Sequence, residues 1–120
     1  MEVISGRVFR SAGLGKKIGF PTLNIHYDGK ISGVFVGEVL LNGQKYQAAV
    51  NVGGRPTVDN LHMCESYLLD FFDDVEAGTE IEVHLLAKIR DIEKFPNLDA
   101  LIAQISLDVE FTKNWYNSRS

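Results

Sequence analysis

The sequence predicts a mainly β protein: an antiparallel barrel of short strands with one α-helix at its C-terminal end. Three observations predict it. Residues 79–90 alternate apolar and polar with period two, the signature of a strand with one face in a core. The β-rich runs Gly33–Leu41 and Gln44–Val52 are separated only by Asn42-Gly43, a dipeptide suited to a type I′ hairpin turn because both residues accept positive φ. After Pro96 the apolar period changes from two to that of a helix.

The elements follow in order. Residues 2–10 read as a strand that ends at the flexible run Ser11-Ala12-Gly13-Leu14-Gly15. The hairpin over 33–52 comes next, and Met63–Phe71 is a further strand. In Thr79–Arg90, Ile81, Val83, Leu85, Ala87 and Ile89 share one face; Glu80, Glu82, His84, Lys88 and Arg90 share the other, with Leu86 the apolar exception. Asn97 is an N-cap, Asp99 complements the helix dipole, and Leu98, Leu101, Ile102, Ile105 and Val109 recur at helical spacing. Short strands followed by one amphipathic helix favour a barrel, since closure pairs every strand, with the helix packed outside or across one end.

Bulk properties set limits. The chain has 120 residues, enough for a single domain spanning 1–120, and 45% of them are hydrophobic. The lone cysteine, Cys64, has no internal partner for a disulfide, which fits a reducing cytoplasm. No signal sequence or long apolar run is present, so neither secretion nor a membrane role is expected. The formal charge of −4 argues against a nucleic-acid binder. Residues 1–20 are nevertheless basic, with Arg7, Arg10, Lys16 and Lys17 against Glu2 alone. That run is either a solvated cationic strand and loop or a site for a small polyanion.

The glycines at 13, 15 and 19 fit neither a Walker A loop nor a dinucleotide fingerprint: Gly15-Lys16 is followed by Lys17, and position 10 is Arg. Glycines still let backbone N–H groups approach phosphate oxygens, with Lys16 or Lys17 as a point charge. Thr22 and Asn24 are two apart and share a face of an extended segment stiffened by Pro21. Their neutral oxygens suit Mg²⁺, which shares its shell with substrate phosphates; equally, each side chain can bond its own backbone. Glu65 shares a strand face with Met63, Tyr67, Leu69 and Phe71. An apolar row would raise its pKa and make it a better proton acceptor near neutrality; a structural pair with Arg55 or Arg90 is the alternative. His26, His62 and His84 have no metal-ligand spacing.

Gly19-Phe20-Pro21-Thr22-Leu23-Asn24 resembles the Gly-Phe-Pro-Thr-x-Asn signature of the riboflavin kinase family. The resemblance extends from about Gly6 to about Asp108. It includes Gly6-Arg7-Val8, Gly15-Lys16-Lys17-Ile18-Gly19, Gly33-Val34-Phe35, and Asn51-Val52-Gly53-Gly54-Arg55-Pro56-Thr57. Glu65-Ser66-Tyr67-Leu68-Leu69-Asp70-Phe71 and the segment from Ile89-Arg90 through Leu98-Asp99-Ala100-Leu101 complete it. Ser11, Lys16, Tyr67 and Val75-Glu76-Ala77-Gly78 depart from the family's usual residues.

The resemblance implies a six-stranded antiparallel, Greek-key-like split barrel and an ATP-dependent kinase that converts riboflavin to FMN. By the same resemblance, Glu65 is the catalytic base, and Ser11, Gly15, Lys16, Thr22 and Asn24 hold the nucleotide. Thr22 and Asn24 also hold Mg²⁺, while Arg90 and Phe95 contact the flavin, although Arg90 can equally be a surface charge. The partners implied are riboflavin and ATP, with no nucleic acid and no membrane. The chain is then a monomeric kinase, either standing alone or a module excised from, or working beside, a nucleotidyltransferase domain that makes FAD. The competing reading is a non-catalytic flavin carrier, which needs neither a base nor a magnesium-phosphate site.

Overall fold

A computed structural model of the chain describes residues 2–10, 19–53 and 62–119. Six strands, β1 (Glu2–Arg7), β2 (Leu23–His26), β3 (Gly33–Leu41), β4 (Gln44–Val52), β5 (Met63–Leu68) and β6 (Glu80–Arg90), precede one helix, α1 (Leu98–Asn117). The strands form one antiparallel sheet in the order β1-β6-β3-β4-β5-β2. β3, β4 and β5 are a meander, and β6 returns beside β3, which is Greek-key connectivity.

The two sheet edges nearly meet. Phe9 donates its N–H to Asn24 O at 3.0 Å in an isolated bridge between the end of β1 and β2. Gly6 permits this closure: a Cβ there would sit 3.1 Å from the Cβ of Ile25. The β3–β4 turn is the one the sequence demands, with φ of 52° at Asn42 and 80° at Gly43.

Alternation sorts each strand into an inner and an outer face. Ile4, Ile25, Val39, Val50, Val52 and Val83, with Cys64 and Leu68, form the barrel interior. β6 keeps period two only as far as Leu85. Val36 pairs with Ala87 but Gly37 with Leu85, so Leu86 is the extra residue of a β-bulge. This is the physical reason for the apolar exception at Leu86. A second irregularity lies between Lys88 and Arg90.

β1 and β5 are shorter than the alternation suggests. β5 stops at Leu68 because Asp70 takes a φ of 53°, which turns the chain. As a result Leu69 packs on the outer face with Ala49 and Val109, whereas Phe71 packs against the barrel interior. Leu69 and Tyr67 therefore stay on one side, but Phe71 leaves the row that sequence alternation assigned to it.

α1 starts where Asn97 accepts the N–H of Ala100 on its side-chain oxygen at 2.8 Å. It lies against the outside of the barrel. Val109 and Ile105 pack with Ala49, Tyr67 and Phe20, and the Tyr116 hydroxyl donates to Gly37 O. The buried residues of α1 are Asp108, Val109 and Thr112, while Leu98 is exposed, so the packed stripe is more polar than the apolar spacing alone predicts. No helix among the described residues is long and apolar enough to cross a membrane.

The buried Cys64 thiol and the half-buried Tyr116 phenol link stability to alkaline pH. Burial pushes the Cys64 thiol from 9.0 up to about 12, and burial, with nearby Glu38, raises Tyr116 from 10.0 to about 12. Both groups bind protons more tightly in the folded state, so their stabilisation is full below pH 9 and declines as pH rises towards 12. Denaturant unfolding of the wild type should show falling stability over this window, and the double variant Cys64→Ala/Tyr116→Phe should show a shallower decline.

Candidate active site

The strand register builds the site. In antiparallel pairing, directly opposed residues present their side chains on the same face, with Cβ atoms roughly 5 Å apart. Asn24 is opposed to Glu65, Glu65 to Asn51, Asn51 to Val34, and Val34 to Arg90. A single row therefore runs Asn24–Glu65–Asn51–Val34–Arg90 across β2, β5, β4, β3 and β6. It lies on the outer face, because Leu23 and Ile25 of β2, Cys64 of β5 and Val50 and Val52 of β4 point inward. The next row, Tyr67–Ala49–Val36–Ala87, is apolar, and α1 packs against it through Ala49 and Tyr67.

At one end of the row the Thr22 hydroxyl donates to Asn24 Oδ1 at 2.9 Å. The two side chains thus share a face as their spacing requires, and they bond each other. Asn24 is 5% exposed, so its amide is a built feature of the wall. Glu65 is half-buried beside it. Met63 and Tyr67 flank Glu65 along the strand, but its cross-strand neighbours on both sides are asparagines. The carboxylate is therefore bracketed by amides within an apolar wall, which alternation along one strand does not reveal.

Asn51 is the residue that sequence reasoning left without a role. It stands in a quoted motif segment, yet only pairing of β4 with β5 brings it opposite Glu65. Its polarity amid the buried run Ala48, Ala49, Val50 and Val52 is the signal that could have found it.

At the other end of the row Arg90 meets α1. Its Nε donates to Asp108 Oδ1 at 2.9 Å and its Nη2 to Oδ2 at 2.7 Å. Nη1 donates to Asp91 O at 3.1 Å. All three guanidinium nitrogens are engaged, so the edge that forks onto a carboxylate or phosphate is taken by Asp108. The side chains are largely buried, at 15% exposure for Arg90 and 5% for Asp108. The guanidinium carbon lies 5.7 Å from the centroid of the Phe95 ring, within cation–π range. Arg90 is therefore not a loose surface charge.

Thr22, Asn24 and Glu65 are thus brought together, with Arg90 and Phe95 in the same outer-face region. From Glu65 to Arg90 is three strand spacings, ~14 Å along the row. Ser11, Gly15 and Lys16, and the alternative Glu65 partner Arg55, lie outside the described residues. Among the described residues no group of three or more His, Cys, Asp or Glu side chains could hold a metal ion. The oxygen pair of Thr22 and Asn24 instead suits a hard cation that brings most of its ligands with it.

With this geometry in view, the family model for "Flavokinase: Riboflavin kinase" matches residues 2–116. The chain is 39% identical to a bifunctional riboflavin kinase/FMN adenylyltransferase of Haemophilus influenzae, over 96% of this chain and 39% of that protein. It therefore spans about two fifths of the length of that curated relative. Among solved structures, it is similar to a chain described as a macrolide-efflux protein from Streptococcus pneumoniae. There the TM-score is 0.81 at 35% identity, covering 94% of this chain and 38% of that one. It is also similar to a riboflavin kinase from Trypanosoma brucei, with a TM-score of 0.64 at 26% identity over 96% of this chain and 79% of that one.

Removing one partner of a buried ion pair strands the other and costs about 3–5 kcal/mol. Arg90 keeps some exposure and its bond to Asp91 O, so Asp108→Ala should cost about 3 kcal/mol, at the lower end of that range. Urea unfolding measures it.

Proposed function

The chain belongs to the riboflavin kinase family, and from that premise we propose that it transfers the γ-phosphate of ATP to the terminal ribityl hydroxyl of riboflavin, giving FMN and ADP. The observation that carries the proposal is the opposed set Asn24–Glu65–Asn51, with the Thr22 hydroxyl bonded to Asn24. It combines a carboxylate that can accept a proton with neutral oxygens suited to a phosphate-bound cation.

In this reading Glu65 accepts the proton of the terminal ribityl hydroxyl. The hydroxyl oxygen forms its bond to the γ-phosphorus as the bond from that phosphorus to the bridging oxygen breaks, and ADP leaves. Phosphoryl transfer asks the protein mainly for positioning and charge stabilisation. Thr22 and Asn24 would hold Mg²⁺, whose chemistry when bound is to neutralise phosphate charge. Asn51, opposite Glu65, supplies an amide that can orient the carboxylate or the ribityl chain. Ser11, Gly15 and Lys16 complete the nucleotide site on the strength of the motif alone.

The span of the row fits the acceptor. A five-carbon ribityl chain covers about 6 Å at ordinary C–C bond lengths, and a tricyclic ring beyond it reaches the Arg90–Phe95 end. The proposal treats 1–120 as one kinase domain, monomeric in this function, with riboflavin and ATP as its small-molecule partners. It sets the protein in the cytoplasm, where the free Cys64 stays reduced. The adenylyltransferase activity named in the relatives would belong to a second domain, in the same polypeptide or beside it.

Incubation with riboflavin and Mg-ATP, followed by chromatography, should yield FMN. Flavin binding without FMN would overturn the kinase in favour of a carrier. Glu65→Gln should lower kcat by ~10²–10⁴-fold, the usual contribution of a general base, with the far-UV circular dichroism unchanged. Turnover near the wild-type rate would take Glu65 out of the mechanism.

A further inference from the structure

We infer that Asp108 is a positioning residue for the flavin ring, acting through Arg90 and Phe95; the inference rests on the riboflavin-binding part of the proposed function. No contact between α1 and the Glu65 end of the row is needed for it. The argument begins with the donor count on Arg90. Nε and Nη2 fork onto Asp108, and Nη1 bonds Asp91 O, so the guanidinium plane is fixed on all three nitrogens. Gln104, one turn earlier on α1, donates to Asp108 Oδ1 at 3.1 Å and fixes the carboxylate in turn. A cation whose guanidinium nitrogens are engaged can still interact with an aromatic ring, and the Arg90 guanidinium carbon lies over the Phe95 ring, 5.7 Å from its centroid.

The backbone makes this arrangement consequential. Arg90 is the last residue of β6, and residues 91–97 connect it directly to α1. Asp91 leaves the strand, and Asn97 caps the helix. Asp108 therefore clamps the final residue of the strand to the middle of the helix, closing the intervening chain into a loop. Phe95 sits inside the clamped loop. Its half-buried ring can stack on a flat aromatic ligand, and the clamp decides where that ring stands.

The row geometry gives the clamp its relation to the chemistry. Arg90 terminates the row that contains Glu65, three strand spacings away, so a ring held beside Arg90 at Phe95 would sit on the same outer face as a hydroxyl held at Glu65. Displacing the loop changes flavin affinity while leaving Thr22, Asn24 and Glu65 in place. Asp108 thereby acts on one substrate and not on the other.

The test uses the full chain, with Asp108→Asn and Phe95→Leu made separately and together. Riboflavin binding is read by quenching of flavin fluorescence without ATP, and steady-state FMN formation by varying each substrate in turn. Asp108→Asn should weaken riboflavin binding and raise its KM by about 10-fold to 100-fold, the scale of a small misplacement, with the KM for ATP within about twofold of wild type. Phe95→Leu should reproduce the effect, and the double variant should be no worse than either single one, because both act through the same ring.

Unchanged riboflavin affinity in folded Asp108→Asn, or equal losses for both substrates, would overturn the inference. If Asp108→Asn does not fold, Phe95→Leu carries the reading, and unchanged affinity there has the same consequence. A wild type that binds riboflavin without forming FMN would end the kinase reading alone, since the binding measurements still decide the role of Asp108. A wild type that binds no riboflavin would overturn both.

Discussion

Antiparallel register is the constraint on which the rest of this molecule depends. Side chains alternate with a period of two, so a one-residue slip in any strand moves its whole apolar set to the wrong face. Burial of Ile25, Val39, Val50, Val52, Val83 and Cys64 in the interior therefore fixes the pairing of β2 through β6. The same pairing lines up Asn24, Glu65, Asn51 and Arg90 on the outside. The polar row is a by-product of core formation, which is an economical way to hold polar groups in place without placing them on loops.

The outer face has two regimes. Beneath α1 it is apolar, with Ala49 and Tyr67 packed against Ile105 and Val109. Beside α1 it is polar, and the boundary is the Glu65 row. Asp108 and Arg90 bridge the two regimes: a largely buried pair fastens the helix to the sheet where apolar packing alone would let it slide. Such a pair costs desolvation, so its value lies as much in geometry as in stability. The three engaged nitrogens of Arg90 are consistent with that account.

Much of the molecule was legible without coordinates. The I′ turn at Asn42-Gly43, the N-cap at Asn97 and the alternation of β6 up to Leu85 depend on local sterics and hydrogen bonding, which short sequence windows contain. Thr22 and Asn24 sharing a face likewise follows from extended backbone alone. The misreadings have a common cause. Leu86, the apolar exception in the alternation, is the extra residue of a bulge, and Phe71 left its row because Asp70 turns the chain. Both reflect demands of closing and ending a sheet, which lie outside any one strand.

The sequence by itself determined the element types, the hairpin, the helix cap and the family-like motif, because each depends on neighbours along the chain. Only the tertiary structure decided that Asn51 flanks Glu65 and that Asp108 holds Arg90. Those pairs are 14 and 18 residues apart in the chain. Their contacts exist because β4 pairs with β5 and because α1 folds back over the barrel. Sequence spacing carries no record of such pairings; the shared burial of many side chains selects them together.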